Sequence, residues 1–330
     1  MHTKSPLLEI KDLSVSFKVF EGDLKVLNGV NLTINEGEKV GLVGETGCGK
    51  TTTIKSVLRV LPSPPARITG GEIFYRGRDI LKLKKREIPS IRRGEISAIF
   101  QDPLTSLNPV FTIGYQLQEI IKHSLRQQGI EEVSKKELKS RAASLLKETG
   151  MPDPERILKS YPIQLSGGMR QRVCISEALR VTVKLLLADE PTTNLDVTIQ
   201  DQILRRLDEL VEKRGTSILF ITHSLGVVRH LTHRVYIMYA GNIVETAHTK
   251  ELFSNPLHPY TRGLLKTVPK LTGEGVSEGI QGRIPNYLNP PEGCRFHPRC
   301  GDKMEICINK KPPLFNQGEN QMVACFLYGR

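Results

Sequence analysis

No run of about eighteen consecutive apolar residues occurs in this 330-residue chain, so no helix is expected to span a bilayer. The N-terminus lacks the apolar core of a secretory signal. Met1-His2-Thr3-Lys4-Ser5-Pro6 leads straight into a strand pattern, which predicts a chain retained where thiols stay mostly reduced. No sequence repeat is visible. No aromatic-interleaved nucleic-acid recognition signature accompanies the basic residues. Cysteine is sparse until the end: Cys48 and Cys174 stand alone, and the other four fall after residue 290. The formal net charge of +12 favours anionic surfaces or partners without choosing among nucleic acid, membrane and protein. The basic residues are scattered, with local clusters at Lys82-Leu83-Lys84-Lys85-Arg86 and Arg92-Arg93, and a membrane-facing surface suits them at least as well as nucleic acid.

What is present starts with Gly44-Glu45-Thr46-Gly47-Cys48-Gly49-Lys50-Thr51, directly after the apolar run Lys39-Val40-Gly41-Leu42-Val43. A strand, a glycine loop and a helix in that order match G-x-x-x-x-G-K-[ST] in its proper context. The glycines let successive N–H groups curl around a polyphosphate without Cβ clashes, and the helix start adds the positive end of its dipole. Lys50 is expected at the β- and γ-phosphates and Thr51 at Mg²⁺. Gly44, Glu45, Thr46, Gly47, Cys48, Gly49, Lys50, Thr51 and Thr52 form the candidate nucleotide-binding set.

Leu185-Leu186-Leu187-Ala188-Asp189-Glu190 reads as a buried parallel strand ending in two carboxylates. Ligands gather at such strand ends. Asp189 is expected to hold Mg²⁺, directly or through water, and Glu190 to polarise the attacking water. Alone, an Asp-Glu pair after an apolar run is usually a solvated strand end; the phosphate loop upstream favours chemistry. Ser217-Ile218-Leu219-Phe220-Ile221-Thr222-His223 is a second such strand, with His223 at its tip as a candidate γ-phosphate donor. Gln101 follows the strand Ile96 to Phe100, and its amide is suited to touch Mg²⁺ or water. Leu165-Ser166-Gly167-Gly168-Met169 precedes a helical run from Arg170 to Arg180. Ser166 stands where an N-cap belongs, and two glycines expose a helix start to an anion.

With these elements in this order, the chain resembles the ATP-binding subunits of ABC transporters. The resemblance implies that Gly44 to Thr51 are the Walker A loop and Gln101 the Q-loop glutamine. Leu165 to Met169 correspond to the signature, with Ser166, Gly167 and Gly168 contacting nucleotide. Asp189 and Glu190 correspond to Walker B and the catalytic glutamate, Thr193-Asn194-Leu195-Asp196 to the D-loop and His223 to the switch histidine. Phe17 is the expected adenine-stacking aromatic, with Phe20 as its substitute. The signature departs from the usual L-S-G-G-Q: Met169 replaces glutamine. In the peptide class this change often marks one of two unlike ATPase subunits.

Alternating strands before residue 43, and Gly70 to Gly77, predict an antiparallel sheet beside a parallel core; residues 113 to 180 read as helical, with Leu117, Ile120, Ile121 and Leu125 on one face. The expected class is α/β: a P-loop NTPase core of RecA type with an antiparallel β subdomain, an inserted α-helical signature subdomain over about 102–180, and an irregular C-terminal extension. The expected boundaries are 1–254 for the ATPase domain and 255–330 for the extension, whose Gly- and Pro-rich sequence promises no apolar core of its own. That extension carries Cys294, Cys300, Cys307 and Cys325, spaced C-x₅-C-x₆-C-x₁₇-C. A reducing compartment disfavours disulfides. Zinc usually takes tighter pairs, and spacing alone leaves zinc and iron–sulfur nearly even.

The stretches Asn255 to Thr261, Gly293 to Cys300 and Phe100 to Pro109 resemble the di/oligopeptide-transporter ATPases, whose C-terminal cysteines can hold a [4Fe–4S] cluster. The resemblance therefore implies ATP, Mg²⁺ and a [4Fe–4S] cluster as cofactors. It implies a second, unlike ATPase subunit, two membrane permeases and an extracytoplasmic peptide-binding protein as partners, no nucleic acid, and a peripheral place on the cytoplasmic face of the membrane. The expected function is ATP hydrolysis that energises import of di- and oligopeptides. A nickel or other solute importer of the same subfamily is the first alternative. A soluble ABC ATPase acting on nucleic acid is the second, disfavoured by the single ATPase domain and the absence of long heptads between Thr51 and Asp189.

Overall fold

The structure is a computed structural model describing residues 6–84, 86–180, 183–193, 195–267 and 279–329, the side chain of Arg93 excepted. Lys85 of the first basic cluster and Asn194 of the Thr193–Asp196 segment lie outside the described residues, as do residues 1–5 at the N-terminus. The chain divides into two compact units, Met1–Lys82 with Phe220–Arg330, and Leu83–Leu219. Among the described residues no helix is long and apolar enough to cross a membrane.

The first unit contains an antiparallel sheet in the order Gly22–Ile34, Leu8–Val19, Ala66–Tyr75, Arg78–Asp79. Alternation along Leu8–Val19 sends Leu8, Ile10, Leu13 and Val15 into the core. The strand before the glycine loop, Lys39–Val43, pairs in parallel with Arg234–Tyr239, Val40 opposite Arg234 and Val43 opposite Ile237. Both strands read as apolar runs because both faces are covered. Asn242–His248 returns antiparallel to Arg234–Tyr239 and then accepts the short strand Gln321–Val323 from the far end of the chain.

That last pairing shows how a segment poor in apolar residues folds. Tyr260 and Phe296 pack into one core with Val43, Val235, Ile237 and Tyr239 rather than forming their own. Glu245, fully buried, accepts hydrogen bonds from the N–H groups of Leu257 and His258 and from Gln321 Nε2, each at 2.9 Å. A buried carboxylate is tolerable only when hydrogen-bonded in this way.

In the second unit Ile96–Ile99 and Leu185–Asp189 pair in parallel, Ile96 opposite Leu185 and Ile99 opposite Ala188. Helices Ile113–Arg126, Lys135–Glu148, Pro154–Lys159, Gly167–Ala178 and Val197–Arg214 follow the expected helical sequence. Thr112, Ser134, Asp153, Ser166 and Asp196 cap them, each side chain accepting from an N–H three residues on. Leu117, Ile121 and Leu125 are buried with Ile113, Leu138, Leu146, Ile157 and Val173; Ile120 is only half-buried. The signature helix begins at Gly167, three residues before the apolar pattern predicts, because both glycines lie inside its first turn behind the Ser166 cap.

Candidate functional site

The glycine loop is tightly enclosed at its base. A Cβ on Gly44 would lie 2.1 Å from the Met238 carbonyl oxygen, so no other residue fits there. Gly47 and Gly49 take φ of +84° and +112°, a region that side chains disfavour. Gly49 is the N-cap of the helix Lys50–Val57. Lys50 is buried, and its Nζ donates to the carbonyls of Gly44 at 2.7 Å and Glu45 at 3.1 Å. The ammonium is therefore curled inside the glycine loop. Cys48 is buried, and burial raises its thiol pKa. Thr46 and Thr51 are exposed and Thr52 is half-buried.

Three contacts to this loop have no counterpart in the sequence reading. The Glu45 N–H donates to Tyr260 Oη at 3.0 Å, and Tyr287 Oη donates to the Gly47 carbonyl at 2.8 Å. Arg299 Nη1 reaches both Glu45 carboxylate oxygens, at 3.1 and 2.9 Å. Tyr260 and Arg299 lie in stretches that carry the resemblance, but nothing local points them at the loop; their packing against the strand of Tyr239 brings them there.

Within the other unit the parallel strand ends bring Gln101 and Glu190 together. Asp189 closes its strand and is buried. Glu190, the next residue, has φ of +47°, an uncommon conformation for a side-chain-bearing residue and one that aims it away from the strand direction. Its Oε2 accepts from Gln101 Nε2 at 3.3 Å and from Thr193 Oγ1 at 3.0 Å. Ser166 is exposed, its Oγ accepting from the Met169 N–H at 3.3 Å. Gly168 has Ile199 packed close enough that a Cβ would lie 3.0 Å from it, and Met169 packs against the helical core. The methionine thus anchors the signature helix from behind, as a flexible apolar side chain does well.

His223 is exposed, one residue beyond the strand Ser217–Thr222. Phe17 is half-buried in Leu8–Val19 opposite Leu24 and Ala66, whereas Phe20 is fully exposed in the following turn. Phe17, the glycine loop, His223 and the four tail cysteines belong to one unit; Gln101, Ser166 to Gly168, Asp189 and Glu190 belong to the other.

Cys294, Cys300, Cys307 and Cys325 line one small cavity with Phe296 and His258. All are free thiols; Cys307 and Cys325 are buried, Cys294 and Cys300 half-buried. Burial first, and then the neighbouring Cys307, Cys325 and Cys300, push Cys294 up to about 11. Burial likewise holds His258 neutral, down to about 3, while its Nδ1 accepts the Tyr260 N–H. Among the described residues no group of three or more His, Cys, Asp or Glu side chains is arranged to hold a metal ion. The four thiols share the lining of that cavity, and thiols are the ligand type that an iron–sulfur cluster uses.

The ABC transporter family model matches residues 27–193, and the model for the oligopeptide/dipeptide transporter C-terminal region matches residues 244–307. The oligopeptide transport ATP-binding protein OppD of Bacillus subtilis (strain 168) is 45% identical over 324 residues, covering 97% of this chain and 88% of the relative. The dipeptide transport ATP-binding protein DppD of the same organism is 42% identical over 323 residues, covering 97% and 94%. Among solved structures, a dimeric ATP-binding cassette in a post-hydrolysis state with ADP and Pi is similar at a TM-score of 0.64 and 28% identity, over 73% of this chain and 98% of that one. The Clostridium perfringens cassette cbiO1 of an ABC transporter complex gives 0.62 and 25%, over 76% and 91%. Phosphate loop, signature helix and carboxylate strand end thus occur in a P-loop ATPase fold, and the chain belongs to the ABC transporter family as an ATP-binding subunit with the oligopeptide/dipeptide transporter C-terminal region.

Proposed function

We propose that this chain is the ATP-hydrolysing subunit that energises import of di- and oligopeptides. The observation that carries this reading is similarity along 97% of the chain to subunits named for oligopeptide and dipeptide transport, through both the ATPase and the C-terminal region. An ATPase domain over 1–254 and an extension over 255–330 divide the work.

In this reading Gly44 to Thr52 cradle the phosphates, Lys50 exchanges its loop carbonyls for β- and γ-phosphate oxygens, and Phe17 stacks on the adenine. Mg²⁺, which neutralises phosphate charge when bound, is held by Thr51, Gln101 and Asp189. Glu190 accepts a proton from water as the water oxygen bonds to the γ-phosphorus; the bond to the β–γ bridging oxygen breaks, leaving ADP and phosphate. The Gln101 and Thr193 hydrogen bonds aim that carboxylate. His223 donates to the γ-phosphate. Ser166, Gly167 and Gly168 present a helix start to the nucleotide of a second, unlike ATPase subunit, excluding water as the pair closes.

Two permeases and an extracytoplasmic peptide-binding protein complete the machine, with this chain peripheral on the cytoplasmic face. Cys294, Cys300, Cys307 and Cys325 hold a [4Fe–4S] cluster that staples the extension. Anaerobically purified protein is then brown with about four irons per chain, as a cubane requires; one tight zinc and no iron contradicts the cluster. The functional test is reconstitution with the permeases and binding protein in vesicles: peptide should stimulate ATP hydrolysis and enter the lumen. Hydrolysis indifferent to peptide, without uptake, would overturn the cargo.

A further inference from the structure

The phosphate loop is braced from the C-terminal segment at two of its peptide groups. In a trans peptide the C=O and N–H point in opposite directions, so a plane is fixed when both ends are bonded. The Gly44–Glu45 peptide has its C=O on Lys50 Nζ and its N–H on Tyr260 Oη. The Gly47–Cys48 peptide has its C=O on Tyr287 Oη and its N–H on the Glu45 carbonyl. In each plane one of the two ends is held by a tyrosine of the C-terminal segment. Tyr260 is fully buried, edge-on to Tyr239 at 4.7 Å between ring centroids, so its hydroxyl has little freedom to follow a wandering loop. Glycines at 44, 47 and 49 leave the loop otherwise soft.

A third contact is electrostatic. Glu45 places a carboxylate in a loop whose partner is a polyanion. Arg299 bonds both its oxygens, and is itself held by the carbonyls of Ile280 and Gln281 at 2.9 and 2.8 Å. The guanidinium side chain is 6% exposed and the Glu45 side chain 27%, so water reaches the pair from the carboxylate side alone. Burial works to lower the Arg299 pKa, and the Glu45 and Tyr239 hydrogen bonds outweigh it. Arg299 immediately precedes Cys300, which packs with Cys294 and Phe296 against the Tyr239–Tyr260 core. The thiol cavity and the arginine that pairs with Glu45 are thus one residue apart on the same short segment.

We propose that Tyr260, Tyr287 and Arg299 are positioning residues for the phosphate loop, through which the four-thiol segment sets nucleotide affinity. This rests on the loop being the nucleotide site, so Lys50→Ala is the control: if it too leaves Mg·ATP affinity unchanged, the nucleotide assignment fails rather than the brace. Calorimetry on the full-length chain reads the proposal. Tyr260→Phe and Tyr287→Phe keep the rings and remove one hydrogen bond each, so each should weaken Mg·ATP binding by about three- to tenfold, the scale of a single such bond. Arg299→Ala should weaken it by about tenfold or more by leaving a charge uncompensated, and adding Glu45→Gln should restore most of that loss. A variant that is merely unstable would lower the melting temperature without this rescue. Cys300→Ser should weaken binding in the parent chain and add little in the Arg299→Ala background. Unchanged affinity in all three brace variants, or no rescue by Glu45→Gln, overturns the brace. Equal weakening by Cys300→Ser in both backgrounds overturns its link to the thiols.

Discussion

The glycine loop and the signature turn, to which the proposed function gives the same chemical need of holding a polyphosphate, are built in opposite ways. The loop is braced: Lys50 is buried, and two loop peptides are bonded at both ends. The signature turn is anchored from behind, by buried Leu165 and half-buried Met169 on the helical core and by the Ser166 cap, and Ser166 itself is exposed. A site that must capture nucleotide by itself gains from preorganisation. One that meets a nucleotide carried by another subunit gains from an accessible helix start. The Gln101–Glu190 pair sides with the signature turn: a half-buried carboxylate aimed by two hydrogen bonds and a left-handed backbone.

This contrast predicts separable losses. The largest should come from Glu190→Gln, which keeps shape but removes the proton acceptor. Hydrolysis in the assembled transporter should fall by about 10²-fold or more while ATP binding persists; near-normal turnover would remove Glu190 from the chemistry. Next is Lys50→Ala, which deletes the loop's internal cation. Mg·ATP affinity should fall by about 10²-fold, the scale of charge-assisted bonds, and calorimetry showing no change would refute the assignment.

A smaller effect concerns pH. Glu177, in the signature helix, is pushed up to about 8 by burial, with Arg180 pulling it down. The residue as a whole is only half-buried, but its Oε1 is sealed without a hydrogen-bond partner among the described residues. A raised carboxyl pKa stabilises the fold below about 4.5, its unfolded value. That contribution is lost as pH rises through about 8, by at most a few kcal/mol. Glu177→Gln should flatten this slope in denaturant titrations across that window; an unaltered slope would exclude Glu177 as its source. The smallest effect belongs to Ser166→Ala, which loses one cap, about 1 kcal/mol, and should lower the melting temperature by a few degrees.

The sequence disclosed what is local. Gly44 to Thr51 carries its own pattern, and Leu185 to Asp189 is apolar because both faces are covered. Ser166 declared its cap, and the antiparallel strands their alternation. The Gln101–Glu190 bond was not legible, because it arises from parallel pairing of two strands distant in sequence. Nor was the brace. Tyr260, Tyr287 and Arg299 occupy a segment with little apolar periodicity, and that segment folds by borrowing the ATPase core and the Asn242–His248 strand. A borrowed core leaves no periodic signature in the borrower.

The difference between a braced binding loop and an outward-facing signature turn is tested most directly by one paired measurement on the isolated chain. Mg·ATP affinity and steady-state hydrolysis are measured alone, then after adding the proposed partner ATPase subunit and permeases. The chain alone should bind ATP about as well as the complex does, but turn it over at a small fraction of the complex's rate. Hydrolysis by the lone chain at the full complex's rate would contradict it.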